Sequence, residues 1–133
     1  MQTFLPYPDI TKSVLCLDYV LLGEQRVDAR KIYDTITGKS DNWKLHPAVR
    51  MWTGYEDCLA VYHNLCISRF VLQGFTNFMP YIILQKANIA SPPWLGLSEF
   101  HASHRSNLLR KDLIYYSKFN WKEADNLPYI WPV

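Results

Sequence analysis

Two carboxylates one helical turn apart, Glu24 and Asp28, lie in a run Gly23–Lys31 (GEQRVDARK) that also holds Arg26, Arg30 and Lys31. Carboxylates at i and i+4 share a helix face, where they can move a proton or stabilise a developing positive charge. The pairs Glu24–Asp28 and Arg26–Arg30 are like-charged and poor for helix stability. A ligand supplying counter-charge would explain them; a solvated helix face is the other reading. A second group is His46–Arg50 (HPAVR). There His46 precedes Pro47 at a helix start, where backbone N–H groups and Arg50 can hold a phosphate, or His46 simply caps the helix. The third is Glu99–Lys122, in which Arg105, Arg110, Lys111, Lys118 and Lys122 alternate with Tyr115, Tyr116, Phe119 and Trp121. Cations neutralise phosphates while aromatic faces stack on unpaired bases, so the pattern points to nucleic acid. A basic surface helix with core aromatics is the alternative.

Other chemistries find little support. His101 and His104 are three apart, but no Asp, Glu or Cys completes a ligand set, so no metal is expected. Ser103 and Ser106 near His104 are on no nucleophile elbow, and the chain has no glycine-rich phosphate loop, so no cofactor is expected. The net charge of +2 neither demands nor excludes nucleic acid, which leaves the decision to local clusters. Cys16, Cys58 and Cys66 are an odd number without C-x-x-C spacing, inside apolar stretches. They read as buried free thiols in a reducing, intracellular, cytoplasmic setting. The start MQTFLPYPD lacks a basic n-region, so no signal peptide is expected, and no apolar run suggests a membrane span.

The elements that must position these groups read as one compact all-α domain over residues 1–133, of about three main helices with long irregular connectors. Pro6 and Pro8 keep the first eight residues extended. Asp9 is a fair N-cap for a helix through Ser13–Tyr19, and Gly23 breaks or re-aims the chain. A second helix carries Leu22, Ala29, Ile32, Tyr33 and Ile36 on one face and stops at Gly38. Gly38–Pro47 (GKSDNWKLHP) is a polar loop. Ala48–Gln73 is helical, interrupted near Gly54, with Leu59, Tyr62, Cys66 and Phe70 as its apolar stripe. Thr76–Trp94 is an irregular connector in which Tyr81–Leu84 is either a short strand or a packed loop. A last helical region runs from Ser98 to about Phe119, in two pieces around Asp112. The tail Leu127–Val133 packs as an extended strap. No coiled-coil pattern or interface stripe stands out, so a monomer without a protein partner is expected.

Taken together, MQTFLPYPD, LGEQRVDARKI, GKSDNWKLHPAVRMW, SHRSNLLRKD and YYSKF, in this order, resemble the pyrimidine-dimer DNA glycosylase (endonuclease V) family. The likeness is strongest to its bacterial branch and runs over nearly the whole chain. The resemblance implies an all-α enzyme with both glycosylase and AP lyase activity on damaged double-stranded DNA. It implies that the α-amine of the first residue attacks C1′, forms a Schiff base, and cuts the strand by β-elimination with help from a helix carboxylate. Here that carboxylate falls at Asp28, where relatives usually have Glu, with Glu24 as the reserve. Gln2 should block removal of Met1, so the amine is that of Met1, or a lysine such as Lys31 or Lys111 serves instead. By the same resemblance Arg26, His46, Arg50 and Arg105 line the DNA face, and Tyr115, Tyr116 and Lys118 form an element that contacts the lesion strand. Two other readings stay open: a non-catalytic nucleic-acid-binding module, and an enzyme acting on another nucleotide-like substrate.

Overall fold

The computed structural model describes residues 1–133 and contains six α-helices and no strand. They are α1 (Ile10–Cys16), α2 (Tyr19–Ile36), α3 (Pro47–Arg50), α4 (Glu56–Leu72), α5 (Ser98–Lys111) and α6 (Leu113–Tyr116), followed by a 3-10 turn at Ser117–Phe119. Three of these, α2, α4 and α5, are long, which matches the expected all-α class.

Local chemistry sets the ends. Asp9 caps α1 by accepting from the Lys12 amide at 3.0 Å, and Asp18 caps α2 by accepting from the Leu21 amide at 3.2 Å. Pro47 occupies the first turn of α3, and Asp112 caps α6 through the Tyr115 amide. Gly54 and Gly74, with φ of +89° and +94°, follow α3 and α4 in a conformation that L side chains rarely adopt. The first helix ends at Cys16, earlier than expected, and α2 runs straight through Gly23. Gly23 does not break the helix; it lets α4 approach. A Cβ there would lie 3.1 Å from Cε1 of Phe70, so the missing side chain is where the two longest helices press together.

One core of 25 buried residues draws on every helix and on Phe4, Leu5, Ile82 and Trp94. Burial of this apolar surface is the main driving force for the fold. Cys16, Cys58 and Cys66 are free and buried within it, and burial pushes the Cys16 thiol up to about 12 and that of Cys58 to about 11. They are packing residues at neutral pH. The segment Tyr81–Leu84 is a packed loop: the Ile82 amide donates to Asn64 Oδ1 and its carbonyl accepts from Asn64 Nδ2. No helix is long and apolar enough to cross a membrane.

The most constrained backbone is the non-helical stretch Gln2–Tyr7. An extended segment without a strand partner must find other partners for its buried N–H and C=O groups. Here side chains supply them. Gln25 of α2 donates to the Gln2 carbonyl at 2.9 Å and accepts from the Phe4 amide at 2.7 Å. Tyr62 of α4 lies 3.0 Å from the Phe4 carbonyl and 2.6 Å from Gln25 Oε1, sharing one proton between them. From α5, His104 Nδ1 accepts from the Leu5 amide at 2.9 Å, and Arg105 donates to the Pro6 carbonyl at 2.7 Å. His101 Nε2 accepts from the Gly96 amide, so its Nδ1 carries the proton and donates to the Leu5 carbonyl at 2.7 Å. Trp52 Nε1 donates to Thr3 Oγ1, and Ser13 closes the segment on both polar groups of Tyr7.

Candidate active site

The segment so fixed delivers Met1 to the mouth of a cleft of about 320 Å³. Its floor is α2, which contributes Leu21, Glu24, Gln25 and Asp28 from one face. His46 lies on one side, Lys111 on another, and Tyr129 and Trp131 of the tail form a further wall. The two carboxylates therefore share the cleft with the first residue of the chain. The Met1 amine makes no ion pair, and neither Glu24 nor Asp28 is neutralised by a basic side chain within 4.0 Å.

His46 lines the same cleft as these groups. Its Nδ1 caps α3 by accepting from the Ala48 amide at 3.0 Å, which leaves the ring proton on Nε2. Burial first, and the positive Met1 amine second, lower its pKa, while Asp28 works in the opposite direction. One imidazole thus feels both the amine and the carboxylate. The capping reading of His46 is realised, and the same ring also lines the cleft.

Helix α2 sorts its charges by face. Glu24 and Asp28 look into the cleft, whereas Arg26 and Arg30 point at the connector after α4. Arg26 donates to Asn77 Oδ1 at 2.8 Å and lies 4.3 Å from the centroid of Phe70. Arg30 pairs with Asp34 at 3.3 Å and donates to the Pro80 carbonyl. The Arg26–Arg30 pair is thus relieved by the connector and by Asp34, while Glu24 and Asp28 keep their charges unpaired in the cleft, and Arg26 does not line it. Lys31 is exposed and lies along a separate hollow with Asp34 and Trp43, away from Met1.

The basic-aromatic run near the end of the chain separates in the same way. Arg105, expected on the DNA face, donates to the Pro6 carbonyl and is held by Glu123 at 2.8 and 3.1 Å, a pairing that lowers the Glu123 pKa. Arg110 donates to the Asp125 carbonyl. Tyr116 is completely buried and donates to Asp18 while accepting from the Asp18 amide, so no part of its ring reaches a ligand. It stacks with Trp121, and Trp121 stacks with Phe119 and donates to the Tyr7 hydroxyl. Lys118 sits 3.8 Å over the half-buried Tyr115 ring. Of this whole run only Lys111 lines the cleft. Arg50 is exposed at the end of α3 with its guanidinium unpaired. His101 and His104 serve the Leu5 backbone instead of a metal.

The loop between α2 and α3 presents a further feature that residue types alone did not mark. Trp43 adopts φ of +67°, a left-handed conformation that costs a bulky side chain roughly 1 kcal/mol. It is half exposed, and Leu45 is 87% exposed at the same tip. Trp43 meets His46 edge-on at 6.1 Å, and His46 meets Trp131 at 5.7 Å, so a row of rings joins the loop to the cleft wall.

A profile described as pyrimidine dimer DNA glycosylase matches residues 1–82, which carry Met1, both carboxylates, His46 and the exposed loop. The chain belongs to the pyrimidine dimer DNA glycosylase family. It is therefore a DNA-repair glycosylase by family, and damaged DNA is the partner that this membership implies. No match was found among curated proteins or among solved structures. The match ends before α5, so Lys111, Tyr129 and Trp131 complete the cleft from outside the matched residues.

Proposed function

We propose that this glycosylase is bifunctional: it removes the damaged base and then cuts the strand as an AP lyase, with the Met1 α-amine as nucleophile. The observation that carries the reading is the shared cleft of Met1, Glu24 and Asp28, with one imidazole in the field of both amine and Asp28. An α-amine has an ordinary pKa of about 8, so a neutral fraction exists at physiological pH without the burial a lysine needs. Its lone pair attacks C1′, and the glycosidic bond breaks with its electron pair leaving on the base. Loss of the amine proton and opening of the sugar ring give a protonated imine. A carboxylate then takes a proton from C2′, the C3′–O bond breaks with its electrons on the phosphate, and water releases the enzyme from the imine.

Asp28 is the carboxylate favoured here, because it lines the cleft with Met1 at the position where the family resemblance puts the helix carboxylate. Glu24 extends the same negative face one turn earlier and stabilises positive charge developing on the sugar. Lys111 favours a second reading in which its own amine forms the imine, since it lines the same cleft.

Borohydride trapping on abasic and dimer-containing duplex separates these readings. Native protein is expected to trap covalently, an acetylated or extended N-terminus to abolish trapping, and Lys111→Arg to retain it. Asp28→Asn should slow strand cleavage by at least about a hundredfold. Trapping that survives the blocked N-terminus but not Lys111→Arg would transfer the role to the lysine. Salt-sensitive binding without any trapping would leave a binding module.

A further inference from the structure

The loop that joins α2 to α3 is built to hold its apolar tip in solvent. Leu45 is 87% exposed and Trp43 is 55% exposed, yet the surrounding backbone is firmly tied. Thr35 Oγ1 donates to the Asn42 carbonyl at 2.8 Å, Lys44 pairs with Asp41 at 2.7 Å, and the His46 amide donates to the Trp43 carbonyl at 2.9 Å. Trp43 accepts a left-handed backbone to complete this turn, a conformation normally left to glycine or asparagine. Collapse of Leu45 onto the body of the protein would bury apolar surface, yet the turn holds it out in solvent. Strain at a bulky residue beside an exposed apolar tip is a pattern found where a side chain must be presented to a ligand.

What that ligand is follows from the neighbours. His46 lines both the cleft and the hollow formed by Asp41, Trp43, Lys44 and Leu45, so the tip projects next to the reacting centre. Lys39 and Arg50 are exposed on either side of it in sequence, which suits a tip flanked by phosphates. In a duplex C1′ is shielded by the base stack, and an amine reaches it only when a nucleotide is drawn out. Drawing it out leaves a gap that an apolar side chain can fill.

We propose that the loop is a wedge: Leu45 enters the base stack of duplex DNA beside the lesion, and Trp43 supports the opened step with its ring. This rests on the glycosylase/lyase reading above and adds the element that opens the duplex. Leu45 is here a positioning residue and takes no part in the bond changes.

The test compares wild type, Leu45→Ala, Trp43→Ala and the conservative Leu45→Met on two substrates, a dimer- or abasic-site-containing duplex and a single strand with the same abasic site. It also follows 2-aminopurine placed opposite an uncleavable abasic analogue, which reads unstacking without any cleavage. Leu45→Ala is expected to lose about tenfold in cleavage of the duplex and most of the fluorescence rise, with single-strand cleavage within about twofold of wild type. Leu45→Met should recover most of both, and Trp43→Ala should fall on the duplex in the same direction. Because Leu45 is almost wholly exposed, its truncation does not threaten the fold. Duplex cleavage and fluorescence unchanged in Leu45→Ala overturn the wedge while leaving the lyase intact, and so does an equal loss on both substrates. A wild type that neither cleaves nor traps on any substrate overturns both.

Discussion

Two of this protein's non-helical stretches are treated in opposite ways. Gln2–Tyr7 is buried from Gln2 to Pro6, with hydrogen bonds from α2, α4 and α5 reaching its backbone. The connector from Phe75 to Pro93 is exposed along most of its length, with Ile82 and Pro92 its buried residues. It is held at separated points, by Arg26 on Asn77, by Asn64 on Ile82 and by Asp57 on the Gln85 amide. Both contain prolines and both lack periodicity, so the difference is one of purpose. The first places Met1 in the cleft that Glu24 and Asp28 also line; the second covers the arginine face of α2. Order in irregular backbone comes from buried side-chain partners, and those are supplied to the segment that leads into the cleft.

The strongest way to break the comparison is acid. His104 is fully buried, its Nδ1 accepts from the Leu5 amide, and its Nε2 has no partner, so burial lowers its pKa from 6.5 to about 3. The folded state therefore binds this proton less readily than the unfolded one. Its contribution is complete above about pH 6.5 and is lost as pH falls toward 3, on the order of 5 kcal/mol in all. His101 and His63 are shifted the same way, chiefly by burial. Urea denaturation between pH 7 and 4 should show stability dropping with acid, and amide exchange at Leu5 should accelerate before that at α4. His104→Asn is expected to flatten the acid limb; a limb of unchanged slope would remove His104 from the explanation.

A smaller effect at neutral pH comes from Gln25→Leu. The substitution keeps the volume but leaves the Phe4 amide and the Gln2 carbonyl buried without partners. It should cost about 3 kcal/mol in denaturant unfolding. Strand cleavage should fall by about a hundredfold as well, because a misplaced nucleophile loses most of its advantage. Loss of stability with cleavage intact would show that the segment's rigidity and the amine's position are independent.

How far the sequence foretold this contrast depends on the kind of interaction. Helix ends were legible because Asp9, Gly38, Gly54, Gly74 and Asp112 act locally, within a turn of where they stand. The apolar stripes of α2 and α4 followed from spacing for the same reason. Gly23 was misjudged because its role depends on Phe70, almost fifty positions away, which no local rule can see. That Glu24 and Asp28 share a face followed from their spacing, and one cleft is lined by both. His101 and His104 were weighed as metal ligands because their real partner, the Leu5 backbone, is nearly a hundred residues distant. Gln25 carried a signal that went unread: a polar side chain on the stripe of Leu21, Leu22, Ala29 and Ile32 must be buried and must have partners. The run Arg105–Lys122 misled for the opposite reason. Composition cannot tell an aromatic that stacks on a base from one that, like Tyr116, is sealed against Asp18.

The smallest expected effect sharpens the comparison from the connector's side. Asn77→Ala removes the acceptor of Arg26 and the side-chain donor to the Met79 carbonyl. Asn77 and Arg26 are both partly solvated, and Arg26 keeps its place over Phe70, so water can replace what is lost. Stability should drop by less than about 1 kcal/mol, and strand cleavage should stay within about twofold of wild type. Limited proteolysis near Phe78, which is 92% exposed, should speed up as the local tether is released. A fall in cleavage approaching that of Gln25→Leu would mean that Arg26 and the connector act on the DNA after all. In that event the segregation of α2 into a catalytic face and a covered face would have to be given up.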